Sequence, residues 1–165
     1  MSNSVDGFIG SFKDMARANK FEVSINRLDG TKLKFHCKSA QMPSATIGQI
    51  PFAYRGRIVK LAGDREYEDW TVTVTLDNTY SLRQELYQWQ ESINASRANT
   101  GVGTLTGYAV EASVKALDVN GSPIGTFNFS YMWPTNVGAI EYSQDSMNQL
   151  AECSVTFAYS LYEYS

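Results

Sequence analysis

Trp70-Thr71-Val72-Thr73-Val74-Thr75-Leu76 decides the fold. Trp70, Val72, Val74 and Leu76 fall on one side of an extended chain, and Thr71, Thr73 and Thr75 on the other. Strict alternation, β-branched residues and an aromatic all specify a strand with one buried face. Tyr67 has the opposite parity to Trp70, so either a bulge lies near Glu68-Asp69 or the strand begins there. Downstream, Leu82, Leu86, Trp89 and Ile93 form a single stripe at helical spacing. Ser81 and Gln84 have the spacing of a capping box, which predicts a helix over 81–98 lying on a sheet.

Further strands are predicted on both sides of this centre. Phe21, Val23 and Ile25 alternate with polar residues, as do Leu33, Phe35 and Cys37 with Lys32, Lys34, His36 and Lys38. Asp29-Gly30 between these runs predicts a hairpin. A Gly-rich loop (Gly101, Gly103, Gly107) precedes alternation from Tyr108 through Ala116. Asn120-Gly121 then turns the chain toward Phe127, Phe129 and Tyr131. A last strand carries Cys153, Val155, Phe157, Tyr159 and Leu161 on one face. Trp133-Pro134 reads as a strand end, because proline donates nothing to a ladder. Residues 39–65 are interrupted by Pro43, Gly48, Pro51 and Gly56 and read as a long extended loop, basic at Arg55, Arg57 and Lys60. Residues 1–18, with Phe8, Ile9, Phe12 and Met15 at roughly helical spacing, read as an arm or short helix. The sum is a mainly β, antiparallel sandwich or partly closed barrel with one flanking α-helix.

The 165 residues are expected to form one domain, 1–165, large enough to fold without a metal or disulfide staple. No apolar run approaches the roughly 20 residues of a membrane span. The start, Met1 to Asp6, lacks the basic and apolar regions of a secretion signal. Cys37 and Cys153 fit no metal spacing and read as small buried hydrophobes of a cytoplasmically made chain. The glycosylation-type triplets at Asn94, Asn120 and Asn128 then count as chance matches.

The net charge of −3 argues against a general nucleic-acid coat. It hides an uneven distribution. Residues 11–60 carry ten Lys/Arg against three Asp/Glu, and residues 61–165 carry four against thirteen. Either the fold mixes the two stretches, or the split makes a surface that attracts a copy of itself.

Catalytic patterns are missing from the sequence. His36 is the single histidine, and its neighbour Cys37 points to the opposite face of a strand. Asp64, Glu66, Glu68 and Asp69 lack the glycine and distal glutamate of a calcium loop. There is no G-x-S-x-G or P-loop, and Gly101-Val102-Gly103 follows a helix rather than a strand. The row Lys32, Lys34, His36 and Lys38 has no interleaved aromatics for base stacking. No catalytic residue, cofactor or metal is expected.

Two longer segments are more specific: Ala62-Gly63-Asp64-Arg65-Glu66-Tyr67-Glu68-Asp69-Trp70-Thr71-Val72-Thr73-Val74 and Trp133-Pro134-Thr135-Asn136-Val137-Gly138. With Phe35-His36-Cys37-Lys38 and Gln88-Trp89-Gln90, they resemble the major tail tube proteins of contractile-tailed phages essentially end to end. The resemblance implies a non-catalytic β subunit, six copies of which close into a ring, with rings stacking into a tube inside a contractile sheath. It implies a virion component assembled in the host cytoplasm. The implied partners are the chain itself, the sheath, the baseplate and tail-terminator proteins, and a tape-measure protein in the lumen, with double-stranded DNA in transit. Related tubes of type VI secretion and other contractile injection systems are the first alternative. A monomeric carbohydrate-binding β-sandwich is the second.

For a self-assembling subunit, the inter-subunit candidates are Phe8, Phe12, Arg55, Arg57, Asp64, Arg65, Glu66, Glu68 and Asp69. The arm and the basic loop are expected to reach a neighbouring ring, with acidic residues of 61–165 receiving them. Thr71/Thr73/Thr75 or Ser154/Thr156/Ser160 are expected to line the bore or the outer surface.

Overall fold

A computed structural model describes Val5, Ile9, residues 17–28, Gly30, Leu33 and residues 36–165. Seven strands form one antiparallel sheet: β1 (Phe21–Ile25), β2 (Cys37–Ala40), β5 (Trp70–Thr75), β6 (Val110–Leu117), β7 (Pro123–Val137), β8 (Glu152–Ala158) and β9 (Leu161–Tyr164). Their order is β1-β6-β7-β8-β5-β2, with β9 also pairing to β7. Two further strands, β3 (Ala45–Tyr54) and β4 (Arg57–Tyr67), pair only with each other. The main helix α1 spans Ser81–Ile93, and a helical turn α2 spans Leu105–Tyr108.

The fifteen-residue β7 belongs to both halves of the sheet. Its first part pairs with β6 and β9, and its last part with β8. Between them Ser130 and Tyr131 stand opposite the single residue Glu111, and Tyr131 takes a positive φ of 57°. Such a bulge bends a strand and turns its side chains. Tyr131 is therefore exposed rather than sharing the face of Phe129, and Met132 enters the core instead. The strand also runs through Pro134, where a further register shift accommodates the missing N–H, so Trp133-Pro134 does not end it.

The bend lets both halves enclose one core. Trp70 stacks on Phe129 at 4.8 Å and approaches Phe157 at 5.7 Å. In β5 the tryptophan and two valines are buried while the three threonines are not, as the alternation requires. Helix α1 closes the core with Leu82, Leu86 and Trp89, whose indole N–H donates to the Tyr108 carbonyl at 2.8 Å.

Several local expectations are corrected. The predicted strand over 33–38 starts only at Cys37, and Gly30, Leu33 and His36 are helical. Strand β1 pairs with β6 (Val23 opposite Val114) and β2 with β5, so no hairpin joins β1 to β2. Short apolar alternation is ambiguous between helix and strand, and Leu33 is buried in a helical conformation. Asp29, Lys32, Lys34 and Phe35 lie outside the described residues. Tyr108 is helical, and β8 stops at Ala158, so Ser160 leaves the face of Ser154 and Thr156.

Helix α1 ends at Ile93, short of 98. Tyr80, at φ 53°, is its N-cap and makes no side-chain cap. Instead of a Ser81–Gln84 box, the Asp77 carboxylate accepts from the Ser81 N–H at 3.1 Å and from the hydroxyls of Ser81 (2.9 Å) and Thr79 (2.8 Å). Both cysteines are free. They flank Val74 on adjacent strands, about 9–10 Å apart by strand spacing and too far for a disulfide.

Candidate assembly surfaces

The predicted loop over 39–65 is instead the β3–β4 hairpin. Strands of ten and eleven residues make an arm about 30 Å long at the usual rise per residue. Arg55 (φ 47°) and Gly56 (φ 80°) form its two-residue turn, both in the left-handed conformation that matches strand twist. Near the middle, Gly48 opposes Gly63 and Asp64 in a bulge. Beyond its root, no other strand or helix among the described residues lies along the hairpin, and nearly every residue of it is exposed.

Beyond the bulge the register pairs Ile50 with Leu61, Phe52 with Val59, and Tyr54 with Arg57. Alternate cross-strand pairs share a face, so Ile50, Phe52, Tyr54, Val59 and Leu61 make one apolar face. These five are 49–58% exposed. Contiguous apolar surface of this kind marks an interaction site. Arg55 and Arg57 border the face at the tip, and the Arg55 guanidinium lies 5.3 Å from the Tyr54 ring.

At the root, Tyr67 inserts between Tyr159 and Tyr162, with centroids at 5.8 and 5.3 Å. The Trp70 indole N–H donates to the Gln41 carbonyl, and the Ser44 hydroxyl donates to Glu68. The Tyr159 hydroxyl is buried without a hydrogen-bond partner among the described residues. Burial above all, then Tyr162, Tyr67, Asp69 and Glu68, pushes its phenol up to about 12.

The candidates distribute along this arm. Arg55 and Arg57 sit at the tip, Asp64 at the bulge, Arg65 opposite Ile47, Glu66 opposite Thr46, and Glu68 and Asp69 at the root. Among the described residues no ion pair joins Asp64 to Arg65. Phe8 and Phe12 lie outside the described residues; Val5 and Ile9 of the predicted arm are helical and exposed. Sequence reading missed the apolar hairpin face. Its signal was the alternation of Ile50, Phe52 and Tyr54, masked by Pro51 and the flanking glycines.

A second surface is the polar side of β2, β5 and β8. Thr71 and Thr156 hydroxyls meet at 3.3 Å, as do those of Thr73 and Ser154. Thr75 donates to the His36 carbonyl at 2.9 Å, and Lys38 pairs with Glu152. The face is thus rich in hydroxyls, and among the described residues its one lysine, Lys38, is matched by a carboxylate. Next to it, a groove of about 1000 Å³ runs under the irregular segment 138–151, lined by Thr73, Thr75, Glu141, Leu150 and Glu152 among others.

A family model described as "Phage tail tube protein" matches residues 9–165. The chain belongs to the phage tail tube protein family. It is 35% identical to the tail tube protein gp19 of Enterobacteria phage T4 over 153 residues, covering 91% of this chain and 92% of that one. This tail tube chain also shares its fold with a chain of the sheath–tube complex of an extracellular contractile injection system, PVC. There the TM-score is 0.70 at 17% identity, over 99% of both chains. A chain of the tube-terminating cap of the anti-feeding prophage gives 0.72 at 16% identity, covering 94% and 93%. The family resemblance carried by the 62–74 and 133–138 segments is borne out, and the protein is a structural component of a phage tail. The injection-system likeness is one of fold, whereas the phage likeness extends to sequence.

Proposed function

We propose that six copies of this chain, each acting as one unit over 1–165, close into a ring, and that rings stack into the tube of a contractile tail. The uncovered hairpin carries this reading. Among the described residues, an isolated copy leaves its apolar hairpin face in water, together with the outer edges of β1 and β2, which no strand pairs. At about 25 cal/mol per Å², covering such surface on another copy stabilises the assembly over the monomer. A contact between two different surfaces of like copies either closes into a ring or propagates as a filament. A tube needs both.

The sheath, baseplate and tube terminator are the partners outside and at the ends of this assembly. The solved relatives by fold include a chain of a sheath–tube complex and one of a tube-terminating cap. Inside, the bore holds the tape-measure protein before ejection and double-stranded DNA during it. The hydroxyl face of β5 and β8 suits a bore wall. Each unmatched Lys or Arg would release counterions from DNA and hold it, and among the described residues this face presents none. The role is structural, with no catalytic step.

Negative-stain microscopy of the concentrated protein, with and without baseplate seeds, tests the reading. Six-fold rings and tubes are expected. Persistent single particles under both conditions would overturn it.

A further inference from the structure

We infer that the hairpin's apolar face docks on the 138–152 segment of a second copy, its arginines reaching that copy's Glu141 and Asp145. The inference rests on the tube reading and names the surface that receives the hairpin. Outside the hairpin, Tyr142, Met147 and Leu150 are among the most exposed large apolar side chains of the described residues, at 73–81%. All three fall in one stretch, 138–151, that forms neither strand nor helix. One chain therefore carries the apolar hairpin face and, in 138–151, three further exposed apolar side chains.

Their charges are opposite. From 49 to 62 the hairpin carries Arg55, Arg57 and Lys60 and no acid. From 138 to 152 the chain carries Glu141, Asp145 and Glu152 and no Lys or Arg. Glu152 already holds Lys38, and among the described residues no ion pair involves Glu141 or Asp145.

Two other partners fit less well. Hairpin against hairpin would bring Arg55 and Arg57 toward their own copies, and a two-fold contact closes as a dimer. The acidic root over 64–69 is interrupted by Arg65, and its Glu68 is engaged by Ser44. Hairpin against 138–152 joins unlike surfaces and repeats without limit.

A charge swap tests the inference on the full-length chain elongating from fragments of wild-type tube. Arg55→Glu with Arg57→Glu, and separately Glu141→Lys with Asp145→Lys, should each slow elongation by about tenfold or more, because each places like charges face to face. All four changes in one chain should restore growth on seeds of that same chain. The inference is overturned if the fourfold variant folds yet grows no faster than either half, or if Glu141→Lys with Asp145→Lys grows like wild type.

Should the fourfold variant fail to fold, cross-linking decides. Tyr54→Cys chains are mixed with Leu150→Cys chains in assembled tubes and treated with a short bismaleimide, with each variant alone as control. A dimer band specific to the mixture is expected, and its absence overturns the inference. Wild-type protein that never elongates would instead sink the tube reading itself.

Discussion

Asp77 caps helix α1 from four residues before its first turn, and its titration is readable. The Thr79 hydroxyl first, then the Ser81 hydroxyl and N–H, holds this carboxyl below its ordinary value near 3.8. A group depressed in the folded state contributes stability in full above its unfolded value and loses it as pH falls through the folded one. Asp77→Asn should therefore lower the melting temperature at pH 7, with the gap to wild type narrowing below about pH 4. Thermal melts across that range check it.

Tyr159 titrates with the opposite sign. Its raised phenol stays neutral while the unfolded chain ionises near 10, so its contribution is lost as pH climbs from about 10 toward 12. Because its hydroxyl is buried without a partner among the described residues, Tyr159→Phe should cost nothing and gain up to about 1 kcal/mol in denaturant unfolding. A loss of more than that would mean the hydroxyl is satisfied in the folded chain.

Among the elements, the hairpin separates folding from assembly. Phe52→Ser with Val59→Ser changes two exposed side chains that touch no core residue, so monomer stability should move by less than about 1 kcal/mol. Tube formation should fail, as read by sedimentation and microscopy. Equal loss of both would place the hairpin face in the fold rather than in the interface.

The same element shows where sequence is informative. β5 was legible because one aromatic, two β-branched valines and three threonines all agree with period two. Helix α1 was legible from its stripe, but its cap was not, since Asp77 lies outside the box spacing of Ser81 and Gln84. The hairpin alternates as clearly as β5 over 50–54, yet Pro51, Gly48 and Gly56 each argue locally for a loop. The two-residue turn with Arg55 at positive φ carries no asparagine or aspartate to announce it. The break between β8 and β9 and the corner at Tyr131 depend on pairing with distant strands, which no local window contains. As for the candidate site, the charges at Arg55 and Arg57 were legible from composition, and the apolar face between them and the bulge was not.

At the scale of the whole molecule, opposite charges on two surfaces of one chain make growth sensitive to salt. Elongation from seeds should slow as ionic strength rises from about 0.05 to 0.5 M, as the Debye length contracts from roughly 14 to 4 Å. Growth that is indifferent to salt would assign the contact to its apolar part alone. A conduit prediction belongs at the same scale. Thr73→Lys with Ser154→Lys adds cations to the hydroxyl face without touching the core. If that face lines the bore, rings should still form and genome release should slow, most at low salt. Unchanged release would put the face elsewhere.

The irregular middle of the hairpin has a consequence for life before the virion. Long exposed strands of one chain are the raw material of amyloid, whose sheets require an unbroken comb of backbone donors in register. Pro51 removes one tooth of that comb, and the step where Gly48 faces Gly63 and Asp64 throws the remainder out of phase. Copies crowded together before assembly can then carry a sticky arm toward its specific berth while the ladder itself refuses to crystallise into fibres.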